Sequence, residues 1–151
     1  MMDRKQAASP KEAGMGFGER LSYDIATYFA KDHGLSLSLV HETYESTKRL
    51  CDALDSYSSN QYFSQATARK WFELANRAHI MDFQAEEAGT RLALLVSRVE
   101  VAVLKSTEPE LDRKDVEEIK AKIAEIAGGV ARCNAQAQEL LSMQKEESEG
   151  R

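Results

Sequence analysis

The chain has 151 residues, of which 42% are hydrophobic and 30% charged, a balance typical of a globular domain with one core. Its net charge of −5 and its interspersed acidic and basic residues argue against the basic patch of a nucleic-acid-binding protein. No apolar run approaches the roughly 20 residues that cross a bilayer, and the first residues lack a secretory apolar segment, so we expect a cytoplasmic protein.

The first predicted elements are a disordered arm over residues 1–16 and a helix over 17–32. The arm is polar and has no hydrophobic periodicity. In the helix, apolar residues recur at steps of three and four, and Gly34 is expected to end it in a left-handed conformation. These apolar residues are Phe17, Leu21, Ile25, Tyr28 and Phe29.

A second helix is predicted over residues 37–57, with Ser36 or Ser38 capping its start. Its periodic residues are Val40, Tyr44, Thr47, Cys51 and Leu54. A turn over residues 55–61 ends it, because Ser and Asn are concentrated there.

The third predicted helix, residues 62–105, carries the longest pattern and would be about 65 Å long. A heptad seam runs along it without interruption. The seam residues are Trp71, Leu74, Ala78, Met81, Ala85, Ala88, Leu92, Leu95, Val99 and Ala102. We expect Glu73 to pair with Arg77, and Glu87 with Arg91, one helical turn apart.

A capping box of Thr107 and Glu110, with Pro109 in the first turn, predicts the start of a fourth helix over residues 109–144. Residues 145–151 are predicted to form a charged, disordered tail. The seam of this helix comprises Val116, Ile119, Ile123, Ile126, Val130, Cys133, Ala137 and Leu140.

The predicted fold is therefore all-α, an elongated antiparallel bundle of three to four helices on a long helical hairpin, over residues 17–144. The first two helices either lie end to end along the hairpin or fold back as separate members of the bundle. The third helix has a second apolar stripe, and we expect the first and second helices to cover it. The stripe comprises Ile80, Phe83, Leu94, Val101 and Leu104.

Two glycines and two cysteines stand out within these helices. Gly128 and Gly129 interrupt the fourth helix but lie off its seam, so they indicate either close approach of another helix or a kink. Cys51 and Cys133 both lie on apolar stripes, so we expect buried thiols, although a disulfide between them is open.

The three histidines, His33, His41 and His79, do not predict a metal site. His33 lies at a helix end, where its charge suits the helix dipole. His41 with Glu45, and His79 with Asp82, share helix faces, but the Glu-x-x-His pairs of di-iron bundles are missing. We expect no metal and no cofactor.

The segment "ANRAHIMDFQAEEAGTRLALLVSRVE", residues 75–100, resembles the active-site helix of histidine phosphotransfer domains. Those domains are four-helix bundles with an exposed, phosphorylatable histidine. The matching residues are Ala78, His79, Met81 and Gly89. Asp82 stands where the family has lysine and Phe83 where it has glycine, so Asp82 would repel a phosphoryl group and Phe83 would crowd the ring.

The favoured function is that of a non-enzymatic interaction or adaptor protein that binds a protein partner, or itself, through apolar helix faces. The predicted contact residues are Phe83, Leu94, Val101 and Leu104. One alternative is an amphipathic coat or accessory protein on a hydrophobic or lipid surface. The other is a degenerate phosphotransfer-like signalling bundle acting through His79. No catalytic residue and no nucleic-acid partner is predicted.

Overall fold

The computed structural model describes residues 14, 16–60 and 62–149, which form an all-α bundle of four helices. The helices are α1 (Phe17–His33), α2 (Leu37–Ser58), α3 (Gln65–Lys105) and α4 (Arg113–Glu149). The predicted fold class is confirmed. The predicted arm lies outside the described residues except for Gly14 and Gly16, and residues 150 and 151 also lie outside them.

Helices α1 and α2 lie end to end along the α3–α4 hairpin, which decides between the two predicted arrangements. The apolar core accordingly has two halves. The Trp71 core joins α2 to the first half of α3 and the middle of α4 through residues such as Leu54, Trp71 and Ile126. The Phe29 core joins α1 and Val40 near the start of α2 to the second half of α3 and the first part of α4, with Phe29, Val99 and Ile119 among its members.

The joint between α1 and α2 is a short turn of three residues, Gly34 to Ser36. Gly34 adopts a left-handed conformation with φ 64°, as predicted, which glycine tolerates without strain. The Leu35 N–H donates to Phe29 O at 3.0 Å, and Ser36 Oγ accepts from Leu39 N at 3.1 Å. From α4, Lys120 Nζ donates to His33 O at 3.1 Å and ties the joint to the hairpin.

The predicted start of α4 is wrong. The helix begins at Arg113, where Asp112 Oδ1 accepts a hydrogen bond from Lys114 N at 2.9 Å. Within the described residues, Thr107 and Glu110 form no capping box. Leu111, two residues before the helix begins, is partly buried against the Phe29 core.

The other end of α4 differs from its prediction too. The helix continues to Glu149, whereas we expected it to end near Gln144 and to be followed by a disordered tail.

Candidate interaction surface

The side of α3 opposite the core carries a row of exposed apolar side chains, here called the outer stripe. Their exposed fractions run from 48% for Val101 to 62% for Leu94. The five members are Ile80, Phe83, Leu94, Val101 and Leu104. In a solvent-facing helix surface these positions are normally polar, so the outer stripe is the feature of the fold that packing alone leaves unexplained.

The expectation that α1 and α2 cover this stripe is wrong. Both helices pack on the seam of α3, as α4 does, because a bundle of three rods presents one broad apolar face of each rod to the other two. Trp71, Ala78 and Ala85 on the seam are at most 2% exposed. The opposite face of α3 is consequently left to solvent.

All four predicted contact residues lie on this exposed face, and Ile80 extends it by one turn toward the start of α3. The sequence pattern had placed Ile80 in the stripe but not among the contacts. Glu87, Thr90 and Ser97 occupy the remaining positions of the stripe and divide it into three apolar segments: Ile80 with Phe83, Leu94 alone, and Val101 with Leu104. Thr90 Oγ1 donates to Glu86 O at 3.1 Å, so its methyl group is left to face outward with the stripe.

Ion pairs with the neighbouring helices flank the outer stripe. On the α4 side, Arg91 Nη2 donates to Glu118 Oε1 at 2.6 Å and to Asp115 Oδ1 at 3.1 Å, and these hydrogen bonds raise the pKa of Arg91. On the α2 side, Lys48 Nζ lies 3.5 Å from Glu86 Oε1.

The predicted pairs within α3 do not form among the described residues. Glu73 and Arg77 make no ion pair, and Arg91 turns to α4 and away from Glu87. Arg91 reaches two carboxylates on α4, whereas Glu87 on its own helix would provide only one.

An open groove of about 530 Å³ lies beside the middle of the outer stripe, between the start of α2 and α3. Apolar side chains of Leu37, Val40 and Leu92 line it, with Glu86 and Thr90 at its edge. Gly89 lies in the groove, and a Cβ there would meet no atom within 4 Å. The hollow exists because α3 has small residues where α2 begins.

The surroundings of His79 differ from those of a phosphoryl-accepting histidine. Its Nε2 atom lies 2.9 Å from Asp55 Oδ2, so a carboxylate occupies the position that an incoming phosphoryl group would take. Asp82 contacts Lys48 Nζ at 3.4 Å and Thr47 Oγ1 at 3.1 Å. Phosphotransfer through His79 stays a prediction to which these contacts add no support.

Cys51 and Cys133 are both buried, unpaired thiols in the Trp71 core, as expected. Burial, reinforced by Asp82 and other nearby carboxylates, raises the pKa of Cys51 to about 11. Burial also raises the pKa of Cys133. Both thiols are therefore protonated, and poorly reactive, at neutral pH.

Over the described part of the chain, no three His, Cys, Asp or Glu side chains come together as a group that could hold a metal ion. None of the described helices combines the length and the apolar character needed to cross a bilayer. No family model, curated protein or solved structure matches the chain, so its function has to be inferred from its own surface.

Proposed function

We propose that this chain is an interaction protein that binds a protein partner through the outer stripe of α3. The observation that supports the proposal is the exposure of five large apolar side chains on a helix whose opposite face is fully packed. Single exposed apolar residues are ordinary, but five of them aligned on one face of a helix, even with polar residues between them, are typical of a contact site. Phe83, at 61% exposed, is the largest side chain of the stripe and the best anchor.

The closed bundle favours a protein partner over a lipid surface. A coat protein lays the broad apolar face of its helices on lipid, but in this fold the broad faces of α3 and α4 are buried in the core. The outer stripe is exposed, and it is as narrow as a helix–helix contact. A coat role would require the bundle to open, so it remains the alternative that the experiment must separate.

The test compares three proteins: the wild-type chain, the double variant Phe83→Ser with Leu94→Ser, and the control Phe17→Ser. Phe17 is 73% exposed at the first residue of α1, a helix that packs on the seam of α3, so it controls for the loss of one exposed phenyl ring away from the stripe. Each protein is immobilised and exposed to lysate from the source cell, with vesicles as a separate arm.

We expect specific protein capture by the wild type and by Phe17→Ser, and its loss in the double variant. Circular dichroism should show unchanged helix content in all three, because the substituted side chains do not contribute to the core. Equal capture by all three proteins would contradict the proposal, and stripe-dependent binding to vesicles alone would favour the coat alternative.

A further inference from the structure

We infer that the partner of the outer stripe is the outer stripe of a second copy of this chain, with the two α3 helices antiparallel. This inference rests on the proposed function and names its partner. The observation that carries it is the symmetry of the stripe itself, together with the charges of the residues that interrupt it.

The apolar positions of the stripe are nearly palindromic, which is what a twofold contact requires. A twofold axis at the level of Leu92 brings residue 80 level with residue 104, and residue 83 level with residue 101. Ile80 then faces Leu104 of the second copy, and Phe83 faces its Val101. This arrangement therefore covers both outer segments of the stripe with apolar side chains of the second copy.

The interruptions of the stripe fit the same arrangement. Thr90 comes level with Leu94 of the second copy, so an outward methyl group meets an apolar side chain. Glu87 comes level with Ser97, and the next residue along the second copy is Arg98. The carboxylate of Glu87 therefore reaches the guanidinium of Arg98 across the contact, and the twofold axis forms this pair twice.

Within the described chain, neither Glu87 nor Arg98 has an ion-pair partner. A parallel pairing in register would instead place Glu87 against Glu87 of the second copy in the middle of the stripe. Like charges facing each other across a helical seam oppose association. The two unpaired charges thus select the antiparallel arrangement.

Two of the charges at the edges of this contact, Arg91 and Glu86, are already paired within each chain, whereas Glu100 has no ion-pair partner among the described residues. The antiparallel arrangement brings the Arg91 side chains of the two copies close together. Within each chain, however, Asp115 and Glu118 pair with the Arg91 guanidinium. It also brings Glu86 toward Glu100 of the second copy, and Lys48 lies beside Glu86.

The area of the stripe predicts a reversible dimer. Five side chains about half exposed, at roughly 100 Å² each, give roughly 1,000 Å² over the two copies, which is near the lower limit for specific complexes. We therefore expect monomer and dimer to exchange as the concentration changes.

The first test is the charge swap, measured by sedimentation equilibrium across a wide concentration range. Glu87→Arg alone and Arg98→Glu alone should each weaken dimerisation by about tenfold, and the two together in one chain should restore it. Glu73→Arg, at an equivalent position of α3 outside the overlap, should leave the dimer unchanged.

The second test is cross-linking with a short bismaleimide after introducing a single exposed cysteine. In the antiparallel pair, the Ala93→Cys sites of the two copies are offset by about 3 Å along the helix axes, and the Val101→Cys sites by about 27 Å. Only Ala93→Cys should therefore cross-link efficiently. The wild type controls for Cys51 and Cys133, which are buried.

A wild-type chain that stays monomeric at every concentration would overturn the inference, as would efficient cross-linking of Val101→Cys with none of Ala93→Cys. These outcomes are distinct from failure of the proposed function. A monomer that captures another protein only when Phe83 and Leu94 are intact would remove the second copy as partner and leave the interaction surface in place.

Discussion

Gly129 lies where α4 packs directly against the side chain of Met81 on α3. A Cβ built on it would lie 2.5 Å from Met81 Sδ, closer than atoms can approach. Gly128, its neighbour, faces outward, and its Cβ would meet only the tip of Arg132 at 3.3 Å. Both lie within the single helix α4, so the paired glycines have separate roles: Gly129 admits Met81, and Gly128 has no packing role.

This difference predicts opposite responses to alanine. Gly128→Ala should raise the free energy of unfolding by about 0.5–1 kcal/mol, because alanine is the better helix former and Arg132 can move aside. Gly129→Ala should instead lower the free energy of unfolding by about 1 kcal/mol. The better helix propensity of alanine is outweighed there, because Met81 must move from its position beside the core. Urea denaturation followed by the fluorescence of Trp71 measures both.

The control is the same glycine substitution in a Met81→Ala background. With the sulfur gone, Gly129→Ala should become stabilising, and the two substitutions should therefore be coupled. If Gly129→Ala stabilises the wild type as much as Gly128→Ala does, Met81 moves at no cost and the close approach does not constrain the helix.

The boundaries of the helices depend on which of several local signals the rest of the chain supports. The interior of each helix was predictable because its apolar residues recur at helical spacing. The end of α1 was predictable because Gly34 is a strong stop signal, whereas Ser36 and Ser38 both suited the cap of α2 and the structure uses Ser36. The start of α4 was not predictable, because Thr107 and Asp112 both suit a cap. Leu111, between them, is partly buried against the Phe29 core, and such a tertiary contact is not written in the local sequence.

Asp112 should therefore contribute to stability where Thr107 does not. Asp112→Ala should lower the free energy of unfolding by about 1 kcal/mol, because the first N–H groups of α4 lose their acceptor. Thr107→Ala should change it by less than about 0.5 kcal/mol, as for most exposed substitutions. Chemical denaturation of the two variants checks this, and a larger loss in Thr107→Ala would contradict the observed cap.

At the scale of the whole molecule, two long helices connect two core halves. The sequence could not show which face of α3 receives α1 and α2, since both stripes are apolar and periodic. The choice of face depends on packing in three dimensions, because the seam of α3 can contact α1, α2 and α4 at once. The same geometry joins the Trp71 core to the Phe29 core, because α3 and α4 pass through both.

The two halves should consequently unfold together. Phe29, in the α1 half, is fully buried, and Phe29→Ala should lower the free energy of unfolding by about 3–4 kcal/mol. Trp71 lies in the other half, where its ring stacks on Tyr57 at 4.7 Å between centroids. If α3 and α4 couple the halves, the denaturation midpoint seen by Trp71 fluorescence should fall by as much as the midpoint seen by circular dichroism.

Phe83→Ala is the matched control, since it removes the same ring from the exposed face of α3 and should shift neither midpoint appreciably in the monomer. A Trp71 midpoint that stays in place while part of the dichroism is lost early would show that the α1 half unfolds separately. The hairpin would then hold two independent units side by side. Coincident midpoints would instead show that the two core halves unfold as one cooperative unit. A partner bound anywhere along the outer stripe would then stabilise both halves.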